Sequence, residues 1–211
     1  MEQTYMNHKN IKTEIDIKKS RFISHIARTE TEDDARLFIQ KIKKEHREAT
    51  HNCSAYIIGE SALIQRADDD GEPSGTAGVP ILEVLKRESL YNCTVVVTRY
   101  FGGIKLGAGG LIRAYSQSAA EAVKESGKVF IVPMIPTEIV LDYTFTNKFE
   151  YFLGNENIEI KDQEYTDKVT YHLMIEEPMV EKVRETLKEI TSDTFWITTK
   201  DVEMAERVLV L

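Results

Sequence analysis

Residues 94–115 read TVVVTRYFGGIKLGAGGLIRAY, and the order of residue types in this stretch organises the N-terminal half of the chain. Residues 94–100 are rich in β-branched side chains, which favour a buried strand. Residues 111–126 place apolar side chains at helical spacing, and Gly127 follows as a residue type that often ends helices. Five glycines lie between the two patterns. The sequence therefore predicts a central strand, a glycine-rich loop and a long helix.

The residues before this stretch predict four further strands and two helices. The strands are indicated mainly by alternation of apolar and polar positions, and the helices by apolar side chains three and four residues apart. Thr31 precedes the first helix as an N-cap, and Pro80 falls in the first turn of the second. The predicted strands are residues 11–17, 21–27, 53–58 and 62–66, and the predicted helices are residues 32–47 and 77–86.

The rest of the chain predicts a second domain. Residues 129–136 are apolar and contain Pro133 and Pro136, which indicates an extended connector. The order of elements after it is βαββαβ, the split pattern of ferredoxin-like domains. The predicted strands are residues 138–144, 158–165, 169–175 and 193–199, and the predicted helices are residues 147–153 and 178–190. The predicted domains are thus residues 1–133 and 137–211.

Composition excludes several classes of protein. A chain that is 42% hydrophobic and 29% charged is typical of globular domains rather than of disordered or low-complexity proteins. The first residues lack the pattern of a signal peptide, and no apolar run approaches the roughly 20 residues of a membrane span. Cys53 and Cys93 form no CxxC pair, which argues against a disulfide scaffold or a thiolate zinc site. We therefore expect a cytoplasmic protein with no membrane association.

Charge is divided unevenly between the two predicted domains. Residues 1–133 carry 19 Lys and Arg against 18 Asp and Glu, whereas residues 134–211 carry 8 against 17. Because an acidic surface repels polyanions, a nucleic-acid partner is expected to meet the N-terminal domain. Alternatively, the acidic C-terminal surface serves only to keep the protein soluble.

The glycine-rich loop has the character of an anion cradle, because glycines let backbone N–H groups approach a phosphate at a helix N-terminus. Ala108 and Gly109 replace the Lys and Ser/Thr of a Walker A loop, and Ile112 replaces the third glycine of a dinucleotide fingerprint. Arg113 lies in the first helical turn, where a cation opposes the helix dipole unless an anion is near. An acidic side chain of the protein or a bound phosphate would resolve this conflict.

A second segment, RADDDGEPSGTAGVP at residues 66–80, supplies the acidic candidates. An Asp or Glu of this segment that pairs with Arg99 or Arg113 would lock the two loops together. Two other interpretations of this segment are contact with a phosphate or RNA backbone, and catalysis. The three aspartates lack the alternation and the distal Glu of an EF-hand, which favours a solvated turn over a cation site.

Ser74 and His51 are further candidates for chemistry. Glu72 and Thr76 occupy the positions where a hydrolase nucleophile has flanking glycines, so Ser74 resembles such a nucleophile only superficially. His51, at the start of a predicted strand, is suited to a base, a phosphate contact or, more simply, a structural hydrogen bond. The other histidines show no metal-ligand spacing, so no metal site is predicted; they are His8, His25, His46 and His172.

At these segments the chain resembles the YigZ/IMPACT family. The resemblance rests on DDDGEPSGTAG at residues 68–78, VTRYFGGIKLGAGGLIRAY at residues 97–115 and ATHNC at residues 49–53, and it spans essentially the whole chain. It implies an α+β protein, with a ribosomal protein S5 domain 2-like N-terminal domain and a ferredoxin-like C-terminal domain. That tandem is similar to the fourth and fifth domains of elongation factor G, which implies contact with RNA or the ribosome.

The resemblance also implies a function. Eukaryotic members of the family restrain a translation-initiation stress kinase by competing for its scaffold activator. We therefore expect a non-catalytic, translation-associated regulator that uses no cofactor and binds RNA, the ribosome or a translation-related protein. The alternatives are a protein-interaction module without nucleic-acid binding, and an ATP-dependent small-molecule kinase or hydrolase. The participants in such catalysis would be Asp68, Asp69, Asp70, Ser74, Lys105 and Arg113.

These arguments give two groups of candidate site residues. The candidates for binding an anion or RNA are His51, Ser74, Gly75, Thr76, Arg99, Lys105, Gly107, Gly109, Gly110 and Arg113. The candidates for structural acid partners are Asp68, Asp69, Asp70 and Glu72.

Overall fold

A computed structural model describes residues 3–209. The chain forms two compact units: one is the chain up to Phe130 together with the last residues from Val208, and the other is Ile131–Arg207. The predicted domain boundary at residues 133–137 lies a few residues later than this division. None of the helices in the described part of the chain combines the length and apolar character needed to cross a membrane.

The first unit is built on a five-stranded antiparallel sheet with the order β2-β3-β6-β4-β5. The strand predicted at residues 94–100 is β6, and it lies at the centre of this sheet. The elements of the unit are β1 (Met6–Asn7), β2 (Ile11–Ile17), β3 (Ser20–Arg28), α1 (Glu32–Glu45), β4 (His51–Ile58), β5 (Ile64–Asp68), α2 (Gly78–Arg87), β6 (Cys93–Tyr100) and α3 (Ala108–Ser126).

Helices cover both faces of this sheet because successive side chains of a strand point to opposite sides. On one face, the Ser24 hydroxyl of β3 lies 2.6 Å from the Ser118 hydroxyl of α3. On the other face, Tyr56 of β4 packs in a cluster with Ala35 of α1. Thr31 caps α1 as predicted, since its side chain accepts a hydrogen bond from the Asp34 backbone N–H and Asp34 bonds back to Thr31. The sheet therefore packs against α3 on one face and against α1 on the other.

The second unit contains the predicted βαββαβ pattern. Ten buried residues of the described part of this unit form one core between a sheet and two helices. They include Phe149, Tyr171 and Leu187. The elements are β7 (Lys128–Leu141), α4 (Thr146–Asn155), β8 (Ile160–Tyr165), β9 (Val169–Glu176), α5 (Val180–Thr191), β10 (Trp196–Thr199) and β11 (Glu203–Val208), with short 3-10 turns at Tyr143–Phe145 and Glu177–Met179. Strand β7 pairs with β9 and β10, and β8 pairs with β9.

Two features of this unit differ from the sequence prediction. Both prolines of the predicted connector lie inside β7, so the residues are extended as predicted but form part of a strand. Pro136 lies opposite Lys200, just beyond the end of β10, and accepts a hydrogen bond from its N–H. At that end of the ladder the missing proline donor removes a single terminal hydrogen bond, which is why the strand tolerates it. Strand β11 is not predicted, because its short pattern is mostly polar and exposed.

Candidate functional site

A buried ion pair joins the two segments that the sequence singles out. Arg99, near the end of β6, donates from Nη1 to Glu72 Oε1 at 2.7 Å, and the two side chains are 6% and 3% exposed. Tyr115 of α3 donates its hydroxyl to the same carboxylate oxygen at 2.8 Å. The loop after β5, the end of β6 and the first turns of α3 are therefore tied together through Glu72.

Arg99 is enclosed by other side chains as well as by Glu72. Its guanidinium carbon lies 5.6 Å from the centroid of the Phe22 ring and 5.4 Å from that of Phe101, and Nη2 lies 3.4 Å from the Ser20 hydroxyl. Stacking on aromatic rings suits the weakly hydrated guanidinium. Arg99 is thus one of the loop-locking residues, and its charge does not face solvent.

The reactive groups beneath this ion pair are held in their protonated forms. Cys53 donates its thiol toward the backbone oxygen of Asp69 at 3.0 Å and toward the Tyr115 hydroxyl at 3.3 Å. Burial raises the pKa of the Cys53 thiol and of the Tyr115 hydroxyl far above their ordinary values, because the charged forms would lose their hydration. Neither group is suited to act as a nucleophile near neutral pH.

His51 has a structural position beside the same loop. Its Nδ1 lies 2.8 Å from the backbone oxygen of Asp70, and its Nε2 lies 3.7 Å from Glu72 Oε2. The ring also packs against Gly71, whose added Cβ would lie 3.5 Å from His51 Nδ1. His51 therefore contacts the acidic loop through both of its ring nitrogens.

The three aspartates pair with groups other than the arginines that the sequence suggested. Asp69 accepts hydrogen bonds from the backbone N–H groups of Gly75, Ala77 and Gly78, and so caps the N-terminus of α2. Asp68 and Asp70 both contact Lys43 Nζ, at 3.2 and 2.7 Å. Asp70 also accepts a hydrogen bond from the Asn52 backbone N–H at 2.6 Å. The aspartates therefore pair with backbone N–H groups and with Lys43.

The segment between Glu72 and α2 is also held by internal hydrogen bonds. The Gly75 N–H is used by Asp69, and the buried Thr76 hydroxyl donates to the backbone oxygen of Pro73 at 2.6 Å. Ser74 lies exposed at the tip of the turn. The candidates in this segment are Ser74, Gly75 and Thr76, and of these only Ser74 has a side chain that is exposed to solvent.

Close backbone contacts explain two of the glycines in the signature. A Cβ at Gly102 would lie 1.8 Å from the backbone oxygen of Lys19, and one at Gly78 would lie 2.6 Å from the backbone nitrogen of Asp68. Neither neighbour is a flexible side chain that could move aside. These glycines let the loop after β6 approach the turn between β2 and β3, and let the start of α2 approach the end of β5.

The remaining candidates form an exposed loop, residues 101–113, at the start of α3. Gly107 is the N-cap of α3, and no side chain of the described residues caps this helix end. Lys105 and Arg113 are exposed, and among residues 3–209 their side chains form no hydrogen bond or ion pair. The Arg113 guanidinium lies over Gly109, with Nη1 3.8 Å from the position of an added Cβ. Gly109 is exposed beside it, and Gly110 is partly covered by Leu106.

Three apolar side chains of the same loop are also exposed. Phe101 is 45% exposed, Ile104 41% and Ile112 42%. The exposed loop therefore combines two unpaired cations, free backbone N–H groups at a helix N-terminus and apolar surface. This combination fits a polyanion with planar or apolar parts better than it fits a small inorganic anion.

Several members of the buried network were not identified as site residues from the sequence. Tyr115 was predicted as part of the apolar face of α3, and its hydroxyl gives no signal in a periodicity argument. Lys43 and Asn52 hold Asp70 from α1 and β4, at sequence separations that spacing cannot reveal. The ion pair between Glu72 and Arg99 was within the predicted set of pairings.

Comparisons with known proteins agree with this architecture. Residues 18–123 match the Impact N-terminal domain, and residues 139–194 match a domain of unknown function, DUF1949. The chain is 51% identical to IMPACT family member YvyE of Bacillus subtilis, over 85% of this chain and 82% of that protein. It is 36% identical to IMPACT family member YigZ of Escherichia coli, over 71% and 74%. A crystal structure of a hypothetical protein matches 95% of this chain and 98% of its own, with a TM-score of 0.59 at 28% identity.

Proposed function

The chain belongs to the IMPACT family, and on that premise we propose that it is a non-catalytic, translation-associated regulator in the cytoplasm that binds RNA or the ribosome. The observation that carries the proposal is the exposed loop 101–113. Its cations, Lys105 and Arg113, are unpaired within the described part of the chain and lie at an uncapped helix N-terminus.

The physical argument concerns what would satisfy this loop. Helix α3 begins at Ala108, three residues before the predicted start, so Arg113 is its sixth residue. Its guanidinium nonetheless reaches back over Gly109 in the first turn, where the helix dipole makes a cation unfavourable in the free protein. A phosphate placed there would receive hydrogen bonds from backbone N–H groups and from the guanidinium at once. Exposed Phe101 offers a ring on which an unpaired base can stack. An RNA strand supplies both a phosphate and a base.

The charge distribution supports the N-terminal unit as the binding unit. Residues 134–211 carry 17 acidic against 8 basic residues, so they repel a phosphate backbone. The N-terminal residues are nearly balanced, at 19 basic against 18 acidic. Because Glu72 and the three aspartates are engaged internally, the cations of the exposed loop are free to dominate the local potential.

A protein-interaction module without nucleic-acid binding is the second candidate function. It is favoured by the apolar part of the same loop, since Ile104 and Ile112 offer surface that a phosphate backbone would leave uncovered. The two functions differ in their dependence on salt, because phosphate contacts release counterions and apolar contacts do not.

The proposal is tested by co-sedimentation of the protein with ribosomes, and by binding to single-stranded RNA, across a salt series. We expect affinity to fall steeply as salt rises, and the slope to decrease by about 1 when Lys105→Ala removes one phosphate contact. Binding that does not change with salt would assign the loop to a protein partner. An absence of RNA and ribosome binding at low salt would reject the proposal.

A further inference from the structure

Two histidines and a glutamate converge between the N-terminal sheet and the end of α1. His25 lies on β3, Glu45 is the last residue of α1, and His46 is the residue that caps its C-terminus. One ligand atom from each lies within 4.8 Å of the others. The centroids of the two imidazole rings are 5.1 Å apart, and Glu45 Oε1 is 3.8 Å from His46 Nε2.

The imidazole nitrogens of this cluster lack partners. Both ring nitrogens of His25, which is 7% exposed, and Nε2 of His46 form no hydrogen bond with residues 3–209. Buried polar atoms are nearly always paired, because an unpaired one loses its hydration without compensation. A neutral imidazole carries one lone pair, so His25 and His46 each offer one nitrogen to a ligand that accepts lone pairs.

His46 is oriented to present one nitrogen to this cluster. Its Nδ1 lies 2.9 Å from the Tyr100 hydroxyl on β6. When Nδ1 donates its proton to that oxygen, Nε2 carries the lone pair and faces His25 and Glu45. Histidines that bind metals usually hold their second nitrogen in a hydrogen bond of this kind, which fixes the tautomer and the ring orientation.

His25 is held in the form that binds metals. Burial, followed by the proximity of His46, lowers the pKa of His25 to about 4. The imidazole is therefore neutral at pH 7, and no proton competes with a metal ion for its lone pair.

We propose that His25, His46 and Glu45 form a binding site for a divalent transition-metal ion, of which Zn²⁺ is the best match. Two imidazoles and one carboxylate are a known zinc ligand set that leaves a fourth position for water or another ligand. Bonds of about 2.0–2.2 Å in a tetrahedron require donors about 3.3–3.6 Å apart, so the ligand atoms, which lie within 4.8 Å of one another, must move closer when an ion binds. The Glu45 side chain is half exposed and can follow an ion held by the two imidazoles.

The charges around the site set the expected affinity. Glu45 attracts a cation, whereas Lys12 and Lys41 act on His25 in the opposite sense. Because these charges offset one another, we expect binding in the micromolar range rather than the tighter range of closed structural zinc sites.

The test uses the full-length protein after removal of metals with a chelator. Titration with ZnCl₂ by calorimetry is expected to show one equivalent bound, and Co²⁺ is expected to give the visible absorption of a four-coordinate site. Glu45→Gln removes a ligand from the protein surface, so folding is retained, and it should weaken Zn²⁺ binding at least tenfold. Glu48→Gln changes an equally exposed carboxylate just beyond α1 and should bind Zn²⁺ as the unaltered protein does.

His46→Ala and His172→Ala distinguish this site from adventitious binding. His172 lies 3.0 Å from Glu164 on the surface of the second unit, where the two side chains offer Zn²⁺ a more exposed histidine–carboxylate pair. Loss of binding in His46→Ala and its retention in His172→Ala support the proposal. Loss only in His172→Ala, equal affinity in Glu45→Gln, or no binding at millimolar Zn²⁺ would each overturn it.

Discussion

Arg99 carries its charge into the interior of the first unit, where Glu72 neutralises it. Replacing Glu72 with Gln leaves the guanidinium buried without a counter-charge and also weakens the hydrogen bond from Tyr115. We expect the free energy of unfolding to fall by about 3–5 kcal/mol, because the desolvation of Arg99 is no longer offset. Urea unfolding followed by circular dichroism measures this loss.

An exposed ion pair in the same unit provides the control. Lys86 and Glu83 lie 3.0 Å apart on α2, with side chains 42% and 61% exposed. Lys86→Ala should change the free energy of unfolding by less than about 1 kcal/mol, since solvent screens this pair. Equal losses in Lys86→Ala and Glu72→Gln would show that Arg99 is better solvated than its burial implies.

At the level of single residues, the sequence indicates which groups are unusual but leaves their partners open. Glu72 and Arg99 were grouped together as loop-locking candidates, whereas Asp69 was not recognised as a helix cap. The partners of Asp69 are the backbone N–H groups that the loop brings close to it. Their positions are fixed only when β5 and α2 pack together. The cluster of His25 and His46 is hidden for a related reason: one lies on a strand and the other at a helix end, 21 positions along the chain.

Helix α2 depends on an acid outside its own sequence. Its N-cap residue, Ala77, provides no side-chain acceptor, and Asp69 accepts the N–H groups of Gly75, Ala77 and Gly78 instead. We expect Asp69→Ala to lower the free energy of unfolding by about 0.5–2 kcal/mol at pH 7, as loss of a cap does. Asp69→Asn keeps one oxygen acceptor and should lose less.

The effect of Asp69 should depend on pH. Burial raises the pKa of Asp69, but the backbone hydrogen bonds lower it by more, so its pKa in the folded protein lies below the ordinary value. The carboxylate therefore stabilises the fold above the ordinary aspartate pKa, and this stabilisation is lost as the pH falls through the lowered value. Urea unfolding of the native protein and Asp69→Ala between pH 7 and pH 3 should show their difference shrinking; a constant difference would contradict this account.

Helix α3 has a cation at the wrong end of its dipole. Because Arg113 is exposed and forms no ion pair within residues 3–209, Arg113→Ala should leave the melting temperature unchanged or slightly raised. RNA or ribosome affinity should fall, since a phosphate contact is lost. Measuring melting temperature and affinity in the same preparation separates a structural role from a binding role.

Lys124→Ala, at the C-terminal end of α3, is the matched control for Arg113→Ala. Lys124 is also exposed, but it favours the helix dipole at that end. Its removal should lower stability by a few tenths of a kcal/mol and leave RNA affinity unchanged. A large melting loss in Arg113→Ala with unchanged binding would exclude an anion-binding role for Arg113.

At the level of elements, periodicity and capping identify most of the helices and strands. Thr31, Gly127 and the β-branched run of β6 are strong local signals because each acts through its own backbone or immediate neighbours. Strand β7 begins ten residues before the prediction, since prolines inside an apolar stretch indicate a break unless the partner strands are known. Pairing partners lie far away in the sequence, so edge positions are not visible locally.

At the level of the whole molecule, the order of elements was sufficient to predict two domains of mixed helix and strand. The βαββαβ pattern leaves few arrangements, because each amphipathic helix must cover an apolar sheet face. The course of the chain near the division was not predictable. Val208 and Leu209 belong to the first unit although they follow the second in sequence.

The second unit should fold when expressed alone. Ile131–Arg207 retains the ten-residue buried core and all of the strand pairs that β7 makes with β9 and β10. We expect a single cooperative thermal transition, because a compact unit with its own core behaves as an independent domain. The isolated unit should not bind RNA even at low salt, since its acidic residues outnumber its basic residues 17 to 8.

A fragment of residues 137–211 is the matched comparison for this unit. It lacks the part of β7 in which Met134, Ile135 and Pro136 pair with Glu176, Ile175 and Met174. Without those pairs the ladder between β7 and β9 is shorter, so the shorter fragment should melt at a lower temperature than residues 131–207. Equal melting temperatures would show that the start of β7 contributes nothing to this unit. An unfolded spectrum for both fragments would mean that the two units depend on a shared core. The RNA experiment would then use the full chain, with substitutions that neutralise charges on the acidic surface.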